Sequence, residues 1–121
     1  MSSFYRFETK EFTLNFTPEG VLDGYSKIVV SLAQSGIEKV SKTEEDLEID
    51  VANNKIIVDF SQQDTSLFRP GEDAELQVNI YYENTERDVS KKATIKVLDN
   101  LHKKIMGDSN DEWRNNNDNR W

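Results

Sequence analysis

The residues that could do chemistry in this chain are few, and they are scattered. His102 is the single histidine and there is no cysteine. A nucleophilic or metal centre needs partners converging on such a residue, and none is supplied by spacing. Nothing in the sequence matches G-x-S-x-G, H-E-x-x-H or a glycine-rich phosphate loop. Carboxylates cluster at Glu44-Glu45-Asp46 and at Glu72-Asp73-Glu75. Calcium takes such oxygens, but neither run has the D-x-D-x-D-G spacing of a calcium loop. Glycoside hydrolysis needs two carboxylates in a cleft that raises the pKa of one of them. The expectation is therefore a protein without catalytic residues, metal or cofactor, whose acidic runs are solvated. What remains is binding through aromatic side chains. Phe4, Tyr5 and Phe7 stand in a polar N-terminal stretch, and Trp113 and Trp121 in a polar C-terminal one. Large aromatics in polar segments are suited to anchoring in a partner, and these five are the candidate protein-binding residues. Tyr25, Tyr81 and Tyr82 could form a platform for sugar or protein, or simply pack across strands.

The chain has 121 residues, enough for one domain that buries a core without disulfides or metals. Its net charge of −8 repels phosphate backbones, so nucleic acid is not an expected partner. The acidity serves solubility, or presents a surface to a basic partner. No apolar run approaches a membrane span, and MSSFYRFETKEF lacks the apolar core of a secretion signal. Synthesis in the cytoplasm is the expectation.

The elements that must position these residues are strands. In Leu47–Phe68 (LEIDVANNKIIVDFSQQDTSLF), Leu47, Ile49 and Val51 alternate with charges. Ile56, Val58 and Phe60 do the same after an Asn53-Asn54 turn. Period-two alternation buries one face of a strand, and Asn tolerates the left-handed conformation of tight turns. Phe12, Leu14 and Phe16 mark an earlier strand. Tyr25–Gln34, apolar on both faces, reads as central in its sheet. Ile37–Lys42 reads as an edge strand with Val40 inward, its Lys39 and Lys42 discouraging edge pairing. Asp64 and Thr65 are expected to cap one helical turn. Arg69-Pro70-Gly71-Glu72 fits a type II turn. Ala74–Tyr82 is the most regular strand, and Arg87–Leu98 the last, with Ala93, Ile95 and Val97 inward. Leu101, Ile105 and Met106 could make a closing helical turn. About seven strands at even spacing predict an all-β, immunoglobulin-like antiparallel sandwich with a flexible polar tail. The expected divisions are an arm over 1–11, the sandwich over 12–106 and a disordered or partner-ordered tail over 107–121.

One stretch resembles a known group. Val58 to Phe68 fits V-x-F/L-[ST]-Q-x-[DE]-T-x-x-F, preceded by Leu32-Ala33-Gln34 and Lys42 and followed by Ala74–Ile80 and Asp88-Val89-Ser90. This resembles small prophage-encoded structural proteins of Firmicutes, similar to the immunoglobulin-like N-terminal module of phage baseplate upper proteins. The resemblance runs from about Phe12 to Ile105 and leaves out both ends. It implies a virion-associated tail or baseplate protein that docks on other virion proteins, often as symmetric copies, and carries no catalytic residue across. Two other readings stand beside it. One is a small acidic inhibitor of a host nucleic-acid-binding or defence protein; the other is a carbohydrate-binding module.

Overall fold

The computed structural model describes residues 2–103. Its centre is a pair of long antiparallel strands, β3 (Tyr25–Gln34) and β7 (Ala74–Tyr82), in continuous register from Ile28↔Ile80 to Gln34↔Ala74. Alternation dictates the rest. Ile28, Val30 and Leu32 of β3 and Ala74, Leu76, Val78 and Ile80 of β7 are buried on one face, as their spacing predicts. A strand flanked on both sides can afford apolar residues on both faces, and β3 does lie between β7 and the edge strand β4 (Ile37–Thr43).

The facing layer is a three-stranded sheet ordered β2 (Lys10–Asn15), β6 (Lys55–Phe60), β5 (Leu47–Asp50). Ile56, Val58 and Phe60 of β6 fill the space between the layers. The β5–β6 connection is wider than a two-residue turn, because Asp50 pairs with Lys55 and residues 51–54 form the loop. Val51 is consequently exposed instead of inward. Asn54 has the positive φ of 55° that the turn requires.

Ser2–Tyr5, within the stretch that reads as an arm or an irregular first strand, is a strand. This strand, β1, pairs in parallel with β9 (Ala93–Leu98), the last of the described strands, in the register Phe4↔Val97. Lys10 and Glu11 already belong to β2. Nine strands thus occur among the described residues, giving an immunoglobulin-like β-sandwich with sheet order β1-β9-β7-β3-β4 opposite β2-β6-β5. The two extra strands are β1 and the result of a break in the expected last strand, which divides into β8 (Arg87–Val89) and β9. The break is a bulge: Asn79 pairs with Val89, but Leu76 pairs with Ala93, so the β8–β9 side carries one extra residue. Ile95 and Val97 are buried as predicted, whereas Ala93, beside the bulge, is exposed. Leu101 is exposed and makes no closing turn. The rest of that expected turn, and the tail over 107–121, lie outside the described residues.

The Val58–Phe68 corner has a physical reason at nearly every position. Ser61 is the N-cap of the short helix α1 (Gln62–Ser66), its hydroxyl accepting the Asp64 N–H at 3.1 Å while Asp64 accepts the Ser61 N–H at 2.9 Å. This reciprocal box satisfies two orphan donors. The cap is Ser61 and not Thr65, which is fully buried and donates its hydroxyl to the Glu8 carbonyl at 2.8 Å. Phe68 enters the core edge-to-face with Phe4, ring centres 5.5 Å apart.

Lys42 also departs from its expected role. Its ammonium reaches over the end of the sandwich to Asp64 at 2.8 Å and lies 6.0 Å from the Phe60 ring centre. Burial pushes the Asp64 carboxyl pKa up, but the Lys42 ammonium and the Ser61 N–H together hold it below the usual carboxylate value. A depressed folded pKa adds stability that is complete above the unfolded value and is lost as pH falls through the folded one. Asp64→Asn should therefore flatten the acid side of the stability–pH curve and leave its shape unchanged near neutrality. Urea titrations across the acid range check this; an unchanged acid slope would remove Asp64 from the account.

Candidate functional site

The smaller sheet leaves one flank of the sandwich incompletely covered. Among the described residues, β2 pairs with β6 on one side and with no strand on the other. The Phe16 N–H donates to the Asn54 carbonyl at 3.0 Å, continuing the ladder between β2 and β6. Antiparallel pairing alternates residues that bond across with residues that bond away. It therefore turns the main-chain groups of Phe12 and Leu14 toward β6, and those of Glu11, Thr13 and Asn15 toward the open side. The same rule applies to β8. Ser90 N–H donates to the Val78 carbonyl at 2.9 Å and Tyr82 N–H to the Glu86 carbonyl at 3.0 Å. Arg87 and Val89 are thereby left with outward-facing main-chain groups, and Val89 is half exposed. β1 covers this flank only alongside β9, from Ser2↔Ile95 downward.

Between the two open edges lies a groove of about 650 Å³. Leu76, Val78 and Ile80 form its floor, Leu14 and Phe16 one wall, and Asp88 to Lys91 with Ala93 the other. The bulge makes the second wall. Asp88 and Ser90 stand opposite Ile80 and Val78, on the inward side of the ladder, where apolar residues would close the space. Ser90 is held by three contacts with its neighbour strand: besides the N–H bond to the Val78 carbonyl, its hydroxyl accepts the Val78 N–H at 2.9 Å and its carbonyl accepts the Gln77 side-chain amide at 2.9 Å. On the opposite wall, the Asn54 side-chain amide donates to the carbonyls of Phe16 at 2.5 Å and Pro18 at 3.0 Å. This fixes the end of β2.

A second, more open pocket shares Pro18, Val21 and Asp88 with the groove. Glu19, Glu83, Glu86 and Asp88 line it, and no lysine or arginine does. Tyr82 also lines this second pocket. Its hydroxyl sits 2.5 Å from the Val21 carbonyl and 3.2 Å from an Asp88 oxygen, either of which can accept its proton. Burial first, and then the Asp88 charge, raise the Tyr82 pKa above its ordinary value, so this proton stays in place at neutral pH.

The five residues chosen from sequence fare differently. Phe4 is 1% exposed and belongs to the core; its ring is a packing element between Phe68 and β9, and it cannot reach a partner. Tyr5 is half exposed on the outer side of β1. Phe7 is partly buried, with the Arg6 guanidinium 5.1 Å from its ring centre. Trp113 and Trp121 lie outside the described residues. The tyrosine platform is not assembled: Tyr25 and Tyr82 pack against the core, while Tyr81 faces outward under the Arg87 guanidinium, 5.3 Å away. His102 is exposed, and its main-chain N–H donates to Asn100 at 3.0 Å.

The acidic runs do structural work. Glu44 accepts the Ile28 N–H at 3.2 Å, and Glu72 pairs with Arg69 at 2.7 Å and bonds Ser35. Among the described residues no three His, Cys, Asp or Glu side chains converge as metal ligands. The groove residues Asp88 and Ser90 were not singled out as a site from sequence. The available signal was Asp88-Val89-Ser90-Lys91-Lys92, polar where an inward-facing strand should be apolar.

No protein-family model and no curated protein matches this chain. Among solved structures it is similar to the immunoglobulin-like domain of mouse leukocyte-associated immunoglobulin-like receptor 1, seen there as a strand-swapped dimer. The identity is 13%, over 81% of this chain and 90% of that one, with a TM-score of 0.47. It is also similar to the V domain of amphioxus IgVJ-C2, at 8% identity over 78% of this chain and 96% of that one, with a TM-score of 0.35. Both are immunoglobulin-type domains, the architecture that the strand order defines in this chain independently of them.

Proposed function

We propose that this chain is a phage virion-associated structural or accessory module that acts without catalysis, by docking on another virion protein through the flank between β2 and β8. The observation that carries the docking surface is the pair of open strand edges facing one apolar groove. A strand from a partner can add its main-chain hydrogen bonds to such an edge while its alternate side chains enter the groove. The virion setting is supported by the Val58–Phe68 resemblance.

Thr13→Pro tests the docking surface. Thr13 directs its N–H away from β6, and proline is tolerated on a free edge, where the donor it removes was not used within the fold. The variant should melt within about 1 kcal/mol of wild type and incorporate poorly when it replaces the native chain in assembling particles. Normal incorporation of folded Thr13→Pro would show that this edge is not where the partner binds.

A further inference from the structure

Open strand edges offer unpaired N–H and C=O groups to another chain, and the described strands do not guard theirs equally. β1 and β5 have four residues each and β8 has three. β4 is longer, but it bulges at Lys39, because Leu32 pairs with Val40 and Ala33 with Glu38. A bulge of this kind blunts an edge. β2 has neither protection. Its six residues run in unbroken register from Lys10↔Phe60 to Asn15↔Lys55 and contain no proline. The outward-facing main-chain groups of Glu11, Thr13 and Asn15 are spaced to receive a further strand.

The sequence of β2 is complementary to itself. A two-fold axis perpendicular to the smaller sheet sets two identical edges antiparallel. With Thr13 opposite the partner's Thr13, Glu11 falls opposite the partner's Asn15, Phe12 opposite the partner's Leu14 and Lys10 opposite the partner's Phe16. Threonine pairs and Glu–Asn pairs hydrogen-bond across strands, Phe–Leu pairs pack, and a lysine is attracted to the face of an aromatic ring. No like charges meet. Phe12, Leu14 and Phe16 are only partly buried in one copy, so the pairing removes apolar surface from water. Leu14 and Phe16 already form one wall of the groove, and the partner's Phe12 and Leu14 extend that wall across its mouth. Charge agrees with this register. Of the groove's lining residues, Asp88 is the anion and lies at the Ile80 end, while Lys91 is the cation and lies toward the Leu76 end. Pro18 and Val21, which follow Phe16, line the groove and share the second pocket with Asp88. The partner's Lys10, opposite Phe16, thus arrives at the anionic end.

We propose that two copies of this chain associate through β2, as an isologous antiparallel pair centred on Thr13. This deepens the docking reading, because it rests on the same open edge and names the strand that the edge receives. Sedimentation equilibrium of the full chain should give twice the chain mass, falling toward the chain mass on dilution. Thr13 is exposed, so Thr13→Lys and Thr13→Glu should each keep native circular dichroism. Each sets like charges directly opposite one another across the pair, and each alone should be monomeric. An equimolar mixture of the two should recover the dimer, since a lysine then faces a glutamate. A wild type with the chain mass at every concentration overturns the proposal. So does a Thr13→Lys variant that dimerises like wild type, or a mixture that stays monomeric. Particle incorporation of Thr13→Pro is a separate readout. A monomeric wild type with excluded Thr13→Pro removes the dimer and leaves the docking reading, and a dimeric wild type with normal Thr13→Pro incorporation does the reverse.

Discussion

A Gln34→Leu chain is expected to lose about 4 kcal/mol of folding stability, which for a domain of this size lowers the melting temperature by about 15 °C. Gln34 ends β3 and is fully buried. Its amide nitrogen donates to the carbonyls of Arg69 and Glu72, each at 2.8 Å, and its amide oxygen accepts the Arg69 N–H at 2.8 Å. One side chain thus satisfies three main-chain groups of the turn that leads into β7. Leucine keeps the volume and removes every partner. A buried main-chain group left without a partner costs about 1–3 kcal/mol, so a loss near 4 kcal/mol follows even if water reaches one of the three. Thermal and urea unfolding of the purified variant measure it. A loss under 1 kcal/mol would mean that the turn re-forms its own bonds and that Gln34 is dispensable.

Phe4→Ala should cost a similar amount, about 3–5 kcal/mol. The ring is almost wholly buried, meets Phe68 edge-to-face and sits on the strand that closes the sheet against β9. Tyr5→Ala, at the half-exposed neighbouring position, should change stability by no more than about 0.5 kcal/mol. The pair of variants separates two roles for the N-terminal aromatics. If Phe4 were a partner-binding residue, its removal would leave the melt unchanged and weaken association only. If it is core, hydrogen exchange at the amides of Ser2–Tyr5 and of Ile95–Leu98 should accelerate together in Phe4→Ala, because β1 and β9 hold each other.

These two residues also mark what the sequence reveals and what it conceals. Local alternation reads directly as burial in β3, β6 and β7, because each of these strands carries its own evidence in every second residue. The Ser61-x-x-Asp64 corner is legible for the same reason: a capping box is a relation between residues three apart. Phe4 is not legible in this way. Its four-residue strand, Ser-Ser-Phe-Tyr, has too short a pattern, and its partner strand lies at the other end of the sandwich domain in sequence. Gln34 is hidden differently. A polar residue at the end of an apolar strand looks like the beginning of a turn, and only the return of Arg69 to its side explains its burial. The groove is the hardest to foresee. It consists of a strand edge that no described strand covers and of a one-residue bulge that places Asp88 and Ser90 where the core would otherwise close. Neither follows from periodicity within one segment.

The parallel pairing of β1 with β9 sets an order of events during synthesis. At about 5–20 residues per second, a ribosome that has made Phe4 needs roughly 5–20 s more to reach Val97. During that interval Phe4, Tyr5 and Phe7 exist without the strand that receives them, while β2, β5 and β6 already have their partners in the chain. The first strand is therefore the element that must wait longest for its partner, and until β9 is made the Phe4 ring has no site between the sheets to enter. In the folded molecule that wait is over, because β9 lies along β1 from Ser2↔Ile95 to Tyr5↔Leu98.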